Sequence, residues 1–278
     1  MSYLMLAATL LALAAAVLHA GWNLWVKQSE DRWIALWGQT FCAGIMCGIV
    51  LVALGGANNI TWWPIIATSF THLTYYVMLA RAYNLGDFSV TYPIARGTGA
   101  LLAAIGGVVF LSDTLSPLML LGIAIAVLGI VLIAGPADNT HVFAALLVSL
   151  TIGTYSVIDG QGSRQMGGNL YPLFLFVGTT ITLTTFGVIT HRKVDMLHAL
   201  ARSWKKFCVA GVASVATYWM VLIAVQKAPV GYVSAIRESS VVIVALVGTR
   251  YLGEKDMKRR VFAACVVVVG LVVLIAGR

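Results

Sequence analysis

The sequence predicts an all-α integral membrane protein, with ten transmembrane helices in two inverted five-helix repeats. Three observations carry that expectation. Of 278 residues, 60% are hydrophobic and 10% charged, and the mean hydropathy is +0.93. An ordinary soluble domain is about a quarter charged. So little polar surface cannot cover a water-soluble globule, and the same composition excludes intrinsic disorder. Ten apolar runs each approach the ~20 residues that a helix needs to cross ~30 Å of hydrocarbon. Finally, the second half of the chain repeats landmarks of the first at a fixed offset.

The runs fall at about 3–26, 33–55, 62–82, 88–110, 117–135, 141–159, 171–190, 205–226, 230–251 and 260–277. The first lacks the basic n-region of a cleavable signal and leads into a second, which marks a retained helix. Links such as 28–32, 56–61, 112–116 and 136–140 are short, so successive helices are antiparallel neighbours. The longest link, 191–204, is expected to lie along the membrane surface. Pro64, Pro117, Pro172 and Pro229 begin spans, where a missing N–H costs nothing. Pro93 lies about a turn inside span four. It is either a first-turn proline or a local break that frees backbone groups beside a cavity. Trp25, Trp33, Trp37, Trp62, Trp63 and Trp204 fall at span edges and read as an interfacial belt. Gly44 and Gly48 form a GxxxG face for close packing.

Lys and Arg number 18 against 10 Asp and Glu, a net charge of +8. There is no extended basic surface with interleaved aromatics, so no nucleic-acid partner is expected. The positive charges instead set orientation. Thirteen, running from Lys27, Arg32 and Arg81 to Lys258, Arg259 and Arg260, fall on one side; Arg164, Lys227 and Arg278 fall on the other. That count places both termini outside the cytoplasm, in an inner or plasma membrane. Cys42, Cys47, Cys208 and Cys265 lie in apolar runs with no CxxC pair and no zinc spacing. They read as small core- or lipid-facing residues, and no metal or cofactor is expected.

The repeat is visible in spans four and nine. Tyr92-Pro-Ile-Ala-Arg96 is followed by Leu111-Ser-Asp113, and Val233-Ser-Ala-Ile-Arg237 by Leu252-Gly-Glu254. Each arginine precedes its acid by 17 residues, and the two arginines are 141 residues apart. Spans five and ten close with Val131-Leu-Ile-Ala-Gly135 and Val273-Leu-Ile-Ala-Gly277. An odd number of spans per copy makes the copies enter the membrane oppositely, which predicts a pseudo-two-fold axis in the membrane plane. The copies are 1–137 and 138–278. Asp113 and Glu254 are expected to cap the helices that follow them.

Ten short spans in two halves, with LSD and LGE before spans five and ten, resemble the EamA-like branch of the drug/metabolite transporter superfamily. The likeness covers the whole chain. It is most specific in His19-Ala-Gly-Trp-Asn23, in Gly86-Asp-Phe-Ser-Val-Thr-Tyr-Pro-Ile-Ala-Arg-Gly97 and in Ala228-Pro-Val-Gly-Tyr-Val-Ser-Ala-Ile-Arg-Glu-Ser-Ser240. The resemblance implies a ten-helix basket with spans one, three, four, six, eight and nine around a central cavity and spans five and ten at the periphery. It also implies a small-molecule cargo without naming it. Many relatives keep both termini in the cytoplasm, whereas the charge count here reverses that. Span one lacks the glutamate with which small multidrug relatives bind protons and drugs, so cationic cargo is disfavoured.

An ionisable side chain at membrane depth is costly unless it faces protein or water. Arg96 and Arg237 are therefore the leading candidates, either lining the cavity or locked in an ion pair with Glu238. A guanidinium in the cavity would hold a carboxylate or phosphate through two parallel hydrogen bonds. Glu238 is read as the one carboxylate well inside a span, and with His72 it is a candidate for proton coupling. Transport by Glu238→Gln that kept its full pH-gradient dependence would remove that role. His19, Asn23 and Lys27 share a face of span one; Lys27 is expected to snorkel to the interface. His72, Tyr75 and Tyr76 sit at i, i+3 and i+4 of span three, and Tyr92 lies one turn before Arg96. Span six gives Tyr155 and then Asp159; span eight gives Tyr218 and Trp219, with Trp219 taken as the contact. Together these predict an aromatic pocket holding two arginines.

HExxH, GxSxG and P-loop motifs are absent, so no enzymatic chemistry is expected. The sequence thus favours a secondary transporter of a small anionic or zwitterionic metabolite, such as an amino acid, working by alternating access. The alternatives are a carrier of lipid-linked or amphipathic solutes, a polytopic membrane enzyme, and a non-transporting membrane protein. Two complete halves in one chain permit a working monomer, with a dimer left open.

Overall fold

The computed structural model describes residues 3–56, 60–85, 88–134, 139–166, 170–243 and 257–277. Ten helices lie among them: α1 Tyr3–Gln28, α2 Arg32–Ala53, α3 Trp62–Leu85, α4 Phe88–Leu111, α5 Pro117–Ala134, α6 Asn139–Gln165, α7 Tyr171–Ile189, α8 Lys193–Val225, α9 Val230–Arg237 and α10 Met257–Ala276. Six of them (α1, α2, α4, α6, α7 and α8) are long and apolar enough to cross a bilayer; Pro117–Ile133 and Val261–Ala276 are apolar but shorter. The all-α membrane fold expected from composition is the one observed. Glu254, the span-nine stretch 244–251 and the Lys27 side chain lie outside the described residues.

Large apolar side chains point out of the bundle, as lipid demands: Val109, Phe110, Phe143, Val209 and Val272 are all exposed. Small ones point in. Ala8, Ala12, Ala15 and Ala16 give α1 a thin inner face that lets neighbours approach closely. α1 packs on α8, α3 on α6 and α7, α2 on α7 and α8, and α4 on α6. α5 and α10 pack chiefly on each other. Their backbones nearly touch: a Cβ on Gly129 would lie 2.6 Å from the Val267 nitrogen, and one on Gly270 2.4 Å from the Ala126 nitrogen.

Local chemistry sets the helix ends. Asp31 caps α2 by accepting the Ile34 N–H at 3.0 Å. Ser116 caps α5 through the Met119 N–H at 3.2 Å. The expected Asp113 cap is therefore corrected. Its Oδ2 accepts the Val230 N–H of α9 at 2.7 Å, and its Oδ1 lies 2.8 Å from Arg164 of α6. The expected belt is corrected as well. Trp33 and Trp37 are buried, the latter donating to Thr184 at 3.0 Å, whereas Trp62, Trp63 and Trp204 are exposed. Of the GxxxG pair, Gly44 makes the close approach, where a Cβ would strike Thr180; Gly48 sits in ordinary contact distance of Val177.

Three elements bear on the site. α4 runs unbroken through Pro93, so neither reading of that proline describes it. The break falls in span nine, where the helix ends at Arg237 and the chain turns at Glu238 before resuming helix at 239–243. α8 absorbs the expected surface stretch as helix, with non-helical angles at Ser203 marking where the surface part meets the span.

Candidate functional site

A cavity of about 40 Å³ lies between α1, α3, α6, α7, α8 and α9. That volume holds a few waters; pockets for metabolites run to several hundred Å³. α3 brings His72, Tyr75 and Tyr76, α6 brings Tyr155, and α8 brings Ser214, Thr217 and Tyr218. α1 adds His19 and Trp22, α7 adds Phe176 and Thr179, and α9 adds Arg237 from its last turn. α7 therefore lines the cavity where α4 was expected to.

The rings form one cluster. His72 stacks on Tyr155 at 4.5 Å and meets Tyr218 edge-on at 5.7 Å; Tyr75 packs on Tyr76 and Tyr155. His19 and Trp22 form a T-shaped pair at 4.8 Å. Several buried polar atoms here have no hydrogen-bond partner among the described residues: both ring nitrogens of His19, Trp22 Nε1, Thr179 Oγ1 and Arg237 Nε. Buried polar groups are usually satisfied, so these atoms leave the cavity with unused hydrogen-bonding capacity.

The two arginines have different positions. Arg96 grips Glu238 with two hydrogen bonds, Nε to Oε2 at 3.1 Å and a terminal nitrogen to Oε1 at 2.6 Å, and both side chains are 3% exposed. Arg237 has no carboxylate in ion-pair range among the described residues. Its guanidinium carbon lies 5.9 Å from the centre of the Tyr218 ring. The break at Glu238 explains the division: the turn sends Glu238 to α4 and leaves Arg237 facing the cavity.

The other expected residues are placed as follows. Asn23 is buried and donates to its own helix at the His19 carbonyl, 2.9 Å away. Tyr92 lies beside Arg96, its hydroxyl 3.5 Å from Ser240. Neither Asn23, Tyr92 nor Trp219 is among the cavity's lining residues; Tyr218, next to Trp219, is. Asp159 corrects the expectation that Glu238 is the one deep carboxylate. It is 1% exposed, accepts Tyr171 at 2.7 Å and also Tyr218, and lies 4.0 Å from His72 Nε2. Ser214, Thr217 and Tyr218 were legible as polar positions three and four apart in span eight. Thr179 is one of five threonines in α7, with Thr180, Thr182, Thr184 and Thr185, that scatter round the helix and mark no single face.

This is the architecture of a polytopic helical membrane protein with a polar, aromatic chamber at the convergence of six helices. The EamA-like transporter family model matches residues 139–276, and the chain belongs to that family. Its members carry small solutes across membranes. A solved crystal structure is similar over 96% of this chain and 97% of its own at 15% identity, with a TM-score of 0.77; it shows the shared fold. No curated protein matches the sequence.

Proposed function

We propose that the protein is a secondary transporter of a small anionic or zwitterionic metabolite, such as an amino acid, working by alternating access in an inner or plasma membrane. The observation that carries this reading is Arg237, a buried guanidinium without an ion-pair partner among the described residues, its Nε unsatisfied on the wall of an aromatic cavity. A carboxylate or phosphate is the ligand that guanidinium geometry serves best. Arg96 is paired with Glu238 and is not among the lining residues of that cavity.

Alternating access draws support from the α5–α10 contact. Gly129 opposes Val267 and Ala263, and Gly270 opposes Ala126 and Gly122. Each of the second residues is the first set's counterpart moved by 141 positions, as a two-fold between repeats 1–137 and 138–278 would produce. Saturable counterflow of labelled amino acids and carboxylates in proteoliposomes tests the reading. Uptake by diffusion alone, equal with and without protein for all of them, would refute it.

A further inference from the structure

We propose that Asp159 is the proton-carrying group of this transporter, and that proton binding at Asp159 and anion binding at Arg237 favour one another, so that an anion travels together with a proton. The inference deepens the transport reading above and rests on it.

Asp159 is buried at the back of the aromatic cluster, where it lines a small recess with Tyr218 and Arg237, two side chains that also wall the main cavity. The groups facing it from each helix can be named. α3 presents His72, α7 Tyr171, α8 Tyr218 and α9 Arg237, while Tyr155 sits one turn away on α6 itself. α4 brings Arg96, which Glu238 already neutralises. Asp159 is thus the acid of the site that no fixed cation holds in a direct ion pair among the described residues.

The neighbouring imidazole is arranged to share its proton. His72 Nδ1 lies 3.1 Å from the Thr68 carbonyl and 2.9 Å from the Thr68 hydroxyl, and with the ring hydrogen on Nδ1 both oxygens accept from it. That leaves the Nε2 lone pair facing Asp159 Oδ2 at 4.0 Å. A proton taken from water converts the Asp159 carboxylate to a carboxylic acid, and its return to water on the other side restores it; nothing else is consumed. Tyr218 couples this event to the cavity. With Asp159 ionised, the Tyr218 hydroxyl donates to Oδ2. With that oxygen protonated, the hydroxyl is free to donate to an anion instead.

Charge balance gives the sign. Arg96 and Glu238 cancel. Arg237 is balanced by ionised Asp159 and unbalanced once Asp159 is protonated, which is when an anion binds best. Conversely, an anion that neutralises Arg237 tightens the proton on Asp159. Linkage requires the two effects to be equal.

Infrared difference spectra of the reconstituted full chain, recorded against pH, test this without any cargo. A protonated-carboxyl band is expected that persists in the Arg96→Met/Glu238→Leu double variant and disappears in Asp159→Asn. Arg237→Gln imitates the neutralised arginine and should carry the band to higher pH, while Arg237→Lys leaves its midpoint in place. A band untouched by Asp159→Asn, no band at all in the wild type, or equal midpoints in Arg237→Gln and wild type would each overturn the proposal. Should Asp159→Asn not fold, Tyr218→Phe serves: loss of its hydrogen bond to ionised Asp159 must carry the band to higher pH, and an unchanged midpoint counts against Asp159. These spectra fail or succeed independently of counterflow, so the proton site and the transport reading fall separately.

Discussion

A guanidinium and a carboxylate joined by two hydrogen bonds and 3% exposed behave as one neutral unit. Cutting the Arg96–Glu238 unit is expensive, because the surviving ion is left buried: Arg96→Gln or Glu238→Gln should each cost about 3–5 kcal/mol. Replacing both at once, as Arg96→Met with Glu238→Leu, should recover most of that loss, and thermal unfolding in detergent reads the difference. Arg237 should behave oppositely. It anchors no ion pair among the described residues, so Arg237→Ala should leave the melting temperature nearly unchanged. Binding of a carboxylate solute that shows counterflow should weaken about 10- to 100-fold, the worth of a charge-assisted hydrogen bond, as read by isothermal titration. The sequence made both arginines visible, since charges at membrane depth stand out in apolar runs. It left open which one pairs, because that depends on the turn at Glu238. Asp159 reads as a span-end residue beside Tyr155, because the apolar run of span six stops there.

At the scale of elements, most spans were legible to within a few residues, and the exceptions share one cause. α6 extends to Gln165 although Gly160, Gly162, Ser163 and Arg164 read as a loop. Those polar groups are satisfied by another helix: Ser163 donates to the Leu222 carbonyl at 2.8 Å and Arg164 to that of Val225 at 2.9 Å. Partners more than 50 residues away are invisible to local composition. The same holds for α7, whose Thr179 and Phe176 face the cavity without a polar stripe to announce them. Two contacts give direct tests of the helix pairing. Gly129→Val and Gly270→Val should each destabilise the protein by about 1–3 kcal/mol or more through overpacking, and by similar amounts if the two-fold between α5 and α10 holds; melting curves compare them. Between α2 and α8, the Cys42 and Cys208 sulfurs lie 3.2 Å apart. Mild oxidation should join them by removing two hydrogens, while Cys47 and Cys265 stay reduced; peptide mass mapping detects the bridge.

For the whole molecule, the alternating access proposed above requires one end of the bundle to part before cargo can enter so small a cavity. Ion pairs tie helices together at both ends. At one, Asp113 ties α4 to Arg164 of α6 and to the first N–H of α9, and Arg164 reaches on to α8. At the other, Asp31 before α2 pairs with Arg192 before α8. Both pairs are partly exposed, which sets each between a surface bridge worth about 0–1 kcal/mol and a buried one. Breaking one by about 1–2 kcal/mol should shift an open–closed equilibrium roughly 5- to 30-fold. The measurement is the labelling rate of Ser214→Cys, in the cavity wall, by an impermeant maleimide in a chain whose four native cysteines are replaced. Arg164→Gln should accelerate labelling from the Arg164 end alone, and Arg192→Gln from the opposite end alone. The side of the vesicle from which each acts also tests the termini-out orientation, which requires Arg164 to face away from the cytoplasm. Equal acceleration from both sides would mean that the pairs hold the bundle together without gating it, because a latch at one end of an alternating cavity must close the other when it opens.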